Sequence, residues 1–142
     1  MDELKYEKDF VRRDYLDYQI ITNNPVVKNE FENVYFVDGD FQEVMVKVRD
    51  MVHQGYDLIS HPLGASIRIA FSPFRSIIIG QRNNKINPIH VGIIENSIIS
   101  LKNLTEGRVA DRKNDDDYSL VDRELLISTL ESFEKEYISK CV

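Results

Sequence analysis

Leu58-Ile59-Ser60-His61-Pro62-Leu63-Gly64-Ala65-Ser66 is the stretch on which the fold turns. Its first residues complete a strand, Tyr56 to Ser60, and the rest is a polar loop containing glycine. The next apolar run, Ser76-Ile77-Ile78-Ile79-Gly80, arrives with no helical pattern between Gly64 and Arg75. A short continuous run of this kind reads as a strand buried on both faces. Either an irregular crossover keeps that strand parallel to its predecessor, or the chain returns directly and the strand is antiparallel. The irregular crossover is the expectation.

Upstream, Tyr18-Gln19-Ile20-Ile21-Thr22 is a β-branched strand ending at Asn23-Asn24-Pro25. Asn24 is placed to cap a helix whose first position Pro25 takes, over about 25–32. Val34–Val37 is a second strand. Asp40-Phe41-Gln42-Glu43 has the form of a capping box opening a helix to about Gln54. Phe41, Val44, Met45, Val48 and Met51 or Val52 share one face of it, and Gly55 is placed to end it. His53, in its last turn, reads as a surface residue complementing the helix dipole.

Downstream, Asn87-Pro88 opens a helix carrying Ile89, Ile93, Ile94, Ile98 and Leu101. A final helix over about 119–140 presents Leu126, Leu130, Phe133 and Tyr137 in a stripe, with Leu120 and Ile127 beside it. That stripe covers the sheet, a second copy of the chain, or both. Asp115-Asp116-Asp117 reads as a solvated approach to this helix rather than a cation site, because oxygen ligands must be spaced around an ion. The alternation of strand and helix implies one α/β domain over 1–142, a small three-layer Rossmann-like sheet of about four mostly parallel strands flanked by helices. Within it, 1–17 is a helical extension, 18–104 the core and 105–118 a polar linker.

Composition narrows the function classes. The chain has 142 residues, a formal charge of −6 and 42% apolar residues, the profile of an ordinary globular domain. Its acidity disfavours nucleic acid or an anionic membrane as partner. No apolar run is long enough to span a bilayer, and the charged start Met1-Asp2-Glu3-Leu4-Lys5 is unlike a signal peptide, so a cytoplasmic location is expected. The lone Cys141 excludes an intramolecular disulfide. No dinucleotide, phosphate-loop or nucleophile-elbow motif is present, and no cofactor or metal is expected.

Residues 58–94 stand out within this acidic chain. They hold Arg68, Arg75, Arg82 and Lys85 and no Asp or Glu. If the strands are parallel and ordered 2-1-3, the loops after the first and third meet at one sheet edge, where ligands of open α/β sheets bind. Thr22, Asn23, Asn24, Ser60, His61, Ser66, Arg68 and Arg75 are then the candidate ligand-binding residues. The Asn and Ser side chains offer donors and acceptors, the arginines a clamp for carboxylate or phosphate, and His61 an acid, base or donor near neutral pH. Turn formation, capping and solvation are the competing roles for the same residues.

Ile20-Ile21-Thr22-Asn23-Asn24-Pro25, the segment Val48–Gly55, and His61-Pro62-Leu63 with Ser66 together resemble the GrdX family over roughly 18–104. Gly64-Ala65-Ser66 stands where a Ser-Gly-Ser type of turn is expected, and Ile67–Phe71 is more apolar than the family pattern. The resemblance implies an accessory role beside glycine, sarcosine and betaine reductase components of amino-acid-fermenting anaerobes, with no assigned reaction. It leaves two expectations: a domain binding a small anion, with His61 as the residue for any chemistry, or an interaction, assembly or regulatory factor for reductase components. A homodimer is expected in either case.

Overall fold

The computed structural model describes residues 17–64, 71–107 and 112–141. The expected helix over 3–16, Ser66, Arg68 and the side chain of Tyr137 lie outside what is described. Four strands, β1 (Gln19–Thr22), β2 (Val34–Phe36), β3 (Tyr56–Leu58) and β4 (Ser76–Arg82), form one sheet in the order β2-β1-β4-β3. Four helices join them: α1 (Pro25–Glu30), α2 (Phe41–His53), α3 (Pro88–Thr105) and α4 (Asp115–Cys141).

The mostly parallel, Rossmann-like expectation is corrected here. Only β1 and β2 pair in parallel; β4 runs antiparallel to both β1 and β3. The 2-1-3 order is corrected too, because β4 separates β1 from β3. Parallel neighbours need a long crossover, usually an α-helix, and no α-helix lies between β3 and β4 among the described residues. β4 instead pairs with β3 directly, antiparallel to it. Ile59 and Ser60 both donate their backbone N–H to the carbonyl of Ile78, at 3.0 and 3.2 Å. Pairing then loses register between Tyr56 and Leu58, as at a β-bulge. One feature of the expectation survives. β1, β2 and β3 still point the same way, so their carboxyl ends meet the start of β4 at one edge.

The apolar run of β4 goes to the sheet centre. Ile77, Ile78 and Ile79 are all inaccessible to solvent. Ile77 and Ile79 face α2 and α3, where they pack with Ile21, Val44, Met45, Val48 and Ile94. Ile78 faces the other way, with Ile20, Val27, Leu126 and Leu130 of β1, α1 and α4. Helices therefore cover both faces, giving three layers.

The expected caps form. Asn24 accepts from the Val26 N–H at 3.1 Å, Asp40 from Glu43 at 2.9 Å, and Asn87 from Ile89 at 3.0 Å. Each satisfies a helix donor that has no intrahelical partner. Gly55 ends α2 at φ +104°, and a Cβ there would lie 2.4 Å from the Asn83 carbonyl oxygen. Helix α4 starts at Asp115, earlier than its apolar stripe marks, with three acids in its first turn that complement the positive helix end.

Candidate functional site

The edge where β1 ends and β4 begins is held by a dense polar frame. Asn23 is its first node. Its side-chain amide donates to the carbonyls of Pro73 at 2.8 Å and Gly39 at 3.0 Å, and its Oδ1 accepts from the Arg75 N–H at 2.9 Å. Both amide protons and one lone pair of the amide oxygen are thereby spent on backbone groups that have left regular structure.

Asp122 of α4 is the second node. Its carboxylate accepts from Ser76 twice, from the backbone N–H at 2.9 Å and the hydroxyl at 2.7 Å, and from the Asn24 amide at 2.9 Å. The same Asn24 nitrogen donates to the Ser119 carbonyl at 2.9 Å. Thr22 and Ser76, paired across the strands, share a hydroxyl contact of 2.7 Å. A six-residue helix is thus capped by a residue that also fastens the last helix to the sheet.

Arg75 is the third node and differs from the others. It is 6% exposed, yet it forms no ion pair among the described residues. Its Nε donates to the Pro62 carbonyl and its Nη2 to the His61 carbonyl, each at 2.7 Å. Burial pushes the guanidinium below its ordinary pKa, and the charge of Asp122 offsets this in part. Two neutral carbonyls orient the cation without neutralising it. A guanidinium has five N–H groups, so this pair of bonds leaves donors over.

The other candidates fall in place around these nodes. Ser60 is buried, and its hydroxyl accepts from the Ile78 N–H at 2.8 Å, repairing the ladder where β3 bulges. His61 is exposed, with Nδ1 accepting from the Leu63 N–H at 3.2 Å. Thr22, Asn23, Asn24, Ser60, His61 and Arg75 therefore do share one edge, but the first four have their side chains committed to holding the fold. The remaining histidines are elsewhere: His53 contacts Glu95 at 3.1 Å, and His90 accepts from the Leu58 N–H at 3.0 Å. Among the described residues no group of three or more His, Cys, Asp or Glu is arranged to hold a metal ion.

Sequence reasoning missed Asp122, Ser76 and Ser119. One signal for Asp122 was available. It stands four and eight residues before Leu126 and Leu130, so it continues the apolar stripe of α4 with a carboxylate.

Open volume lies at the opposite end of the strands. A cleft of about 910 Å³ is lined by Tyr18, Gln19, Val34, Tyr56, Gln81 and Arg82 among others. It holds none of the candidate residues. Its lining carries polar groups of its own, Asp17, Glu32, Asn33, Gln81 and Arg82 among them.

Comparison with known proteins gives a family match. The model of a family described as GrdX-like protein covers residues 19–131, taking in β1 through most of α4 and including Asp122. No curated protein and no solved structure matches the chain.

Proposed function

Since this chain belongs to the GrdX-like family, we propose that it is an accessory protein of glycine reductase-type amino-acid metabolism that binds a small carboxylate or phosphate at the β1–β4 edge. The observation that carries this reading is Arg75, a buried cation oriented by two backbone carbonyls and paired with no acid among the described residues. Leaving a buried charge unpaired is expensive, and an anion arriving at the free N–H groups offsets that cost. The neighbouring frame keeps Arg75 from relaxing toward solvent. His61, exposed beside it, is placed to contact the same ligand; no reaction is assigned to it.

A thermal-shift titration of the whole chain with acetate and inorganic phosphate tests this. At a concentration 100-fold above Kd, linkage gives about 2.7 kcal/mol, or roughly 8 °C for a domain of this size. Arg75→Met is expected to abolish the shift, while Arg82→Met, at the other end of β4, retains it. Equal shifts in both variants contradict the proposal.

A second reading, docking to reductase components, is favoured by a different observation. Leu120, Val121 and Leu125 of α4 are 53%, 53% and 37% exposed. Chemical cross-linking of purified reductase components to this protein, lost in Leu120→Ser/Leu125→Ser, supports it. Cross-linking unchanged in that variant removes the patch as the contact.

A further inference from the structure

Arg75 and Asp122 are the charged residues of the buried set, and Ser76 stands between them. The hydrogen bonds around Asp122 have a single direction. The Asn24 N–H donates to Thr22 Oγ1, and the Ser76 hydroxyl donates to Asp122 Oδ2. Thr22 must then donate to Ser76, since the Ser76 proton is already used. Each proton in the chain points toward the carboxylate, and each bond polarises the next.

The negative charge so fixed lies on α4, while the positive charge of Arg75 lies at the start of β4. The two do not touch, so their attraction acts through a buried, weakly screened region. Anything anionic at Arg75 meets the repulsion of the same carboxylate. Resting on the anion-binding reading above, we propose that Asp122 is a positioning residue that restrains the anion affinity of Arg75, so that docking of α4 and occupancy of the site oppose one another. Coupling of two equilibria is reciprocal: if docking of α4 weakens the anion, the anion weakens the docking of α4 by the same factor.

The experiment is calorimetric titration of the full chain with inorganic phosphate, using wild type, Asp122→Asn and Asp122→Asn/Arg75→Met, with folding checked by circular dichroism. Asp122→Asn is expected to bind phosphate about tenfold more tightly, and the double variant to lose that gain. A purely structural role for Asp122 moves affinity the other way, because loosening the frame disorders the site. Equal or weaker binding by folded Asp122→Asn overturns the proposal and leaves the anion reading intact. Binding by Asp122→Asn but not by wild type supports the restraint and contradicts anion binding as the native role. Binding by neither overturns both. Should Asp122→Asn fail to fold, hydrogen exchange of the wild type decides. Phosphate is expected to speed exchange across residues 119–126, and unchanged or slowed exchange overturns the coupling.

Discussion

The two ends of the sheet use polar residues in opposite ways. At the β1–β4 edge, Thr22, Asn23, Asn24, Ser76 and Asp122 are all under 7% exposed, and their side chains bond to the protein itself. At the far end, Gln81 and Arg82 stand in solvent around an open cleft. The first end is closed by internal hydrogen bonds; the second is open, its polar groups exposed, with Arg82 donating to the Gln54 carbonyl at 3.0 Å. Preorganised groups bind specifically because their ordering is complete before the ligand arrives. A cleft without them accommodates many things weakly. This contrast is why the reading rests on Arg75 rather than on the larger opening.

Substitutions can break the contrast, and the largest effect is expected at Asp122. Asp122→Ala strips acceptors from the Ser76 N–H, the Ser76 hydroxyl and the Asn24 amide, and is expected to cost about 3–5 kcal/mol in urea unfolding. Asn23→Ala removes three bonds to backbone groups and is expected to cost about 2–3 kcal/mol by the same measurement. Arg75→Met leaves the His61 and Pro62 carbonyls without their donors, a loss of about 1–3 kcal/mol. At the far end, Arg82→Ala and Gln81→Ala are expected to stay within about 0.5 kcal/mol of wild type. Comparable losses at both ends erase the distinction drawn here.

Much of the fold was legible because it is local. Asn-Pro pairs, the Asp40 cap, Gly55 and the face of α2 each have a reason within a few residues of sequence. The direction of β4 was not, because a run such as Ile77-Ile78-Ile79 reports burial on two faces and is indifferent to orientation. The connection left both directions open: the expectation from the absence of a helical pattern was an irregular crossover, whereas β4 pairs antiparallel to β3. The candidate site was legible only as a place. Asn23 and Asn24 were found, but their partners are Pro73, Arg75, Ser119 and Asp122, about 50 to 98 positions away. No local pattern encodes such pairings. A capping Asn looks the same whether its amide faces solvent or fastens a distant helix.

The family match extends beyond the 18–104 resemblance and reaches residue 131. That places α4 within the family's domain rather than outside it. Physically this fits, since Leu126 and Leu130 fill one face of the sheet and Arg123 pairs with Glu30 of α1. The Glu30 hydrogen bond raises the Arg123 pKa. An α4 cut away after Asp115 is expected to leave Ile20 and Ile78 uncovered, and truncation before residue 119 to abolish cooperative unfolding.

Backbone amide chemical shifts, followed by NMR during a titration of the wild-type chain with inorganic phosphate, test the central claim most directly. Saturable shifts concentrated at His61, Leu63 and residues 74–76, with residues 80–82 unmoved, are the predicted result. Shifts confined to residues 17–19 and 80–82 would contradict it, moving the binding site to the open cleft and leaving the β1–β4 frame a purely structural device.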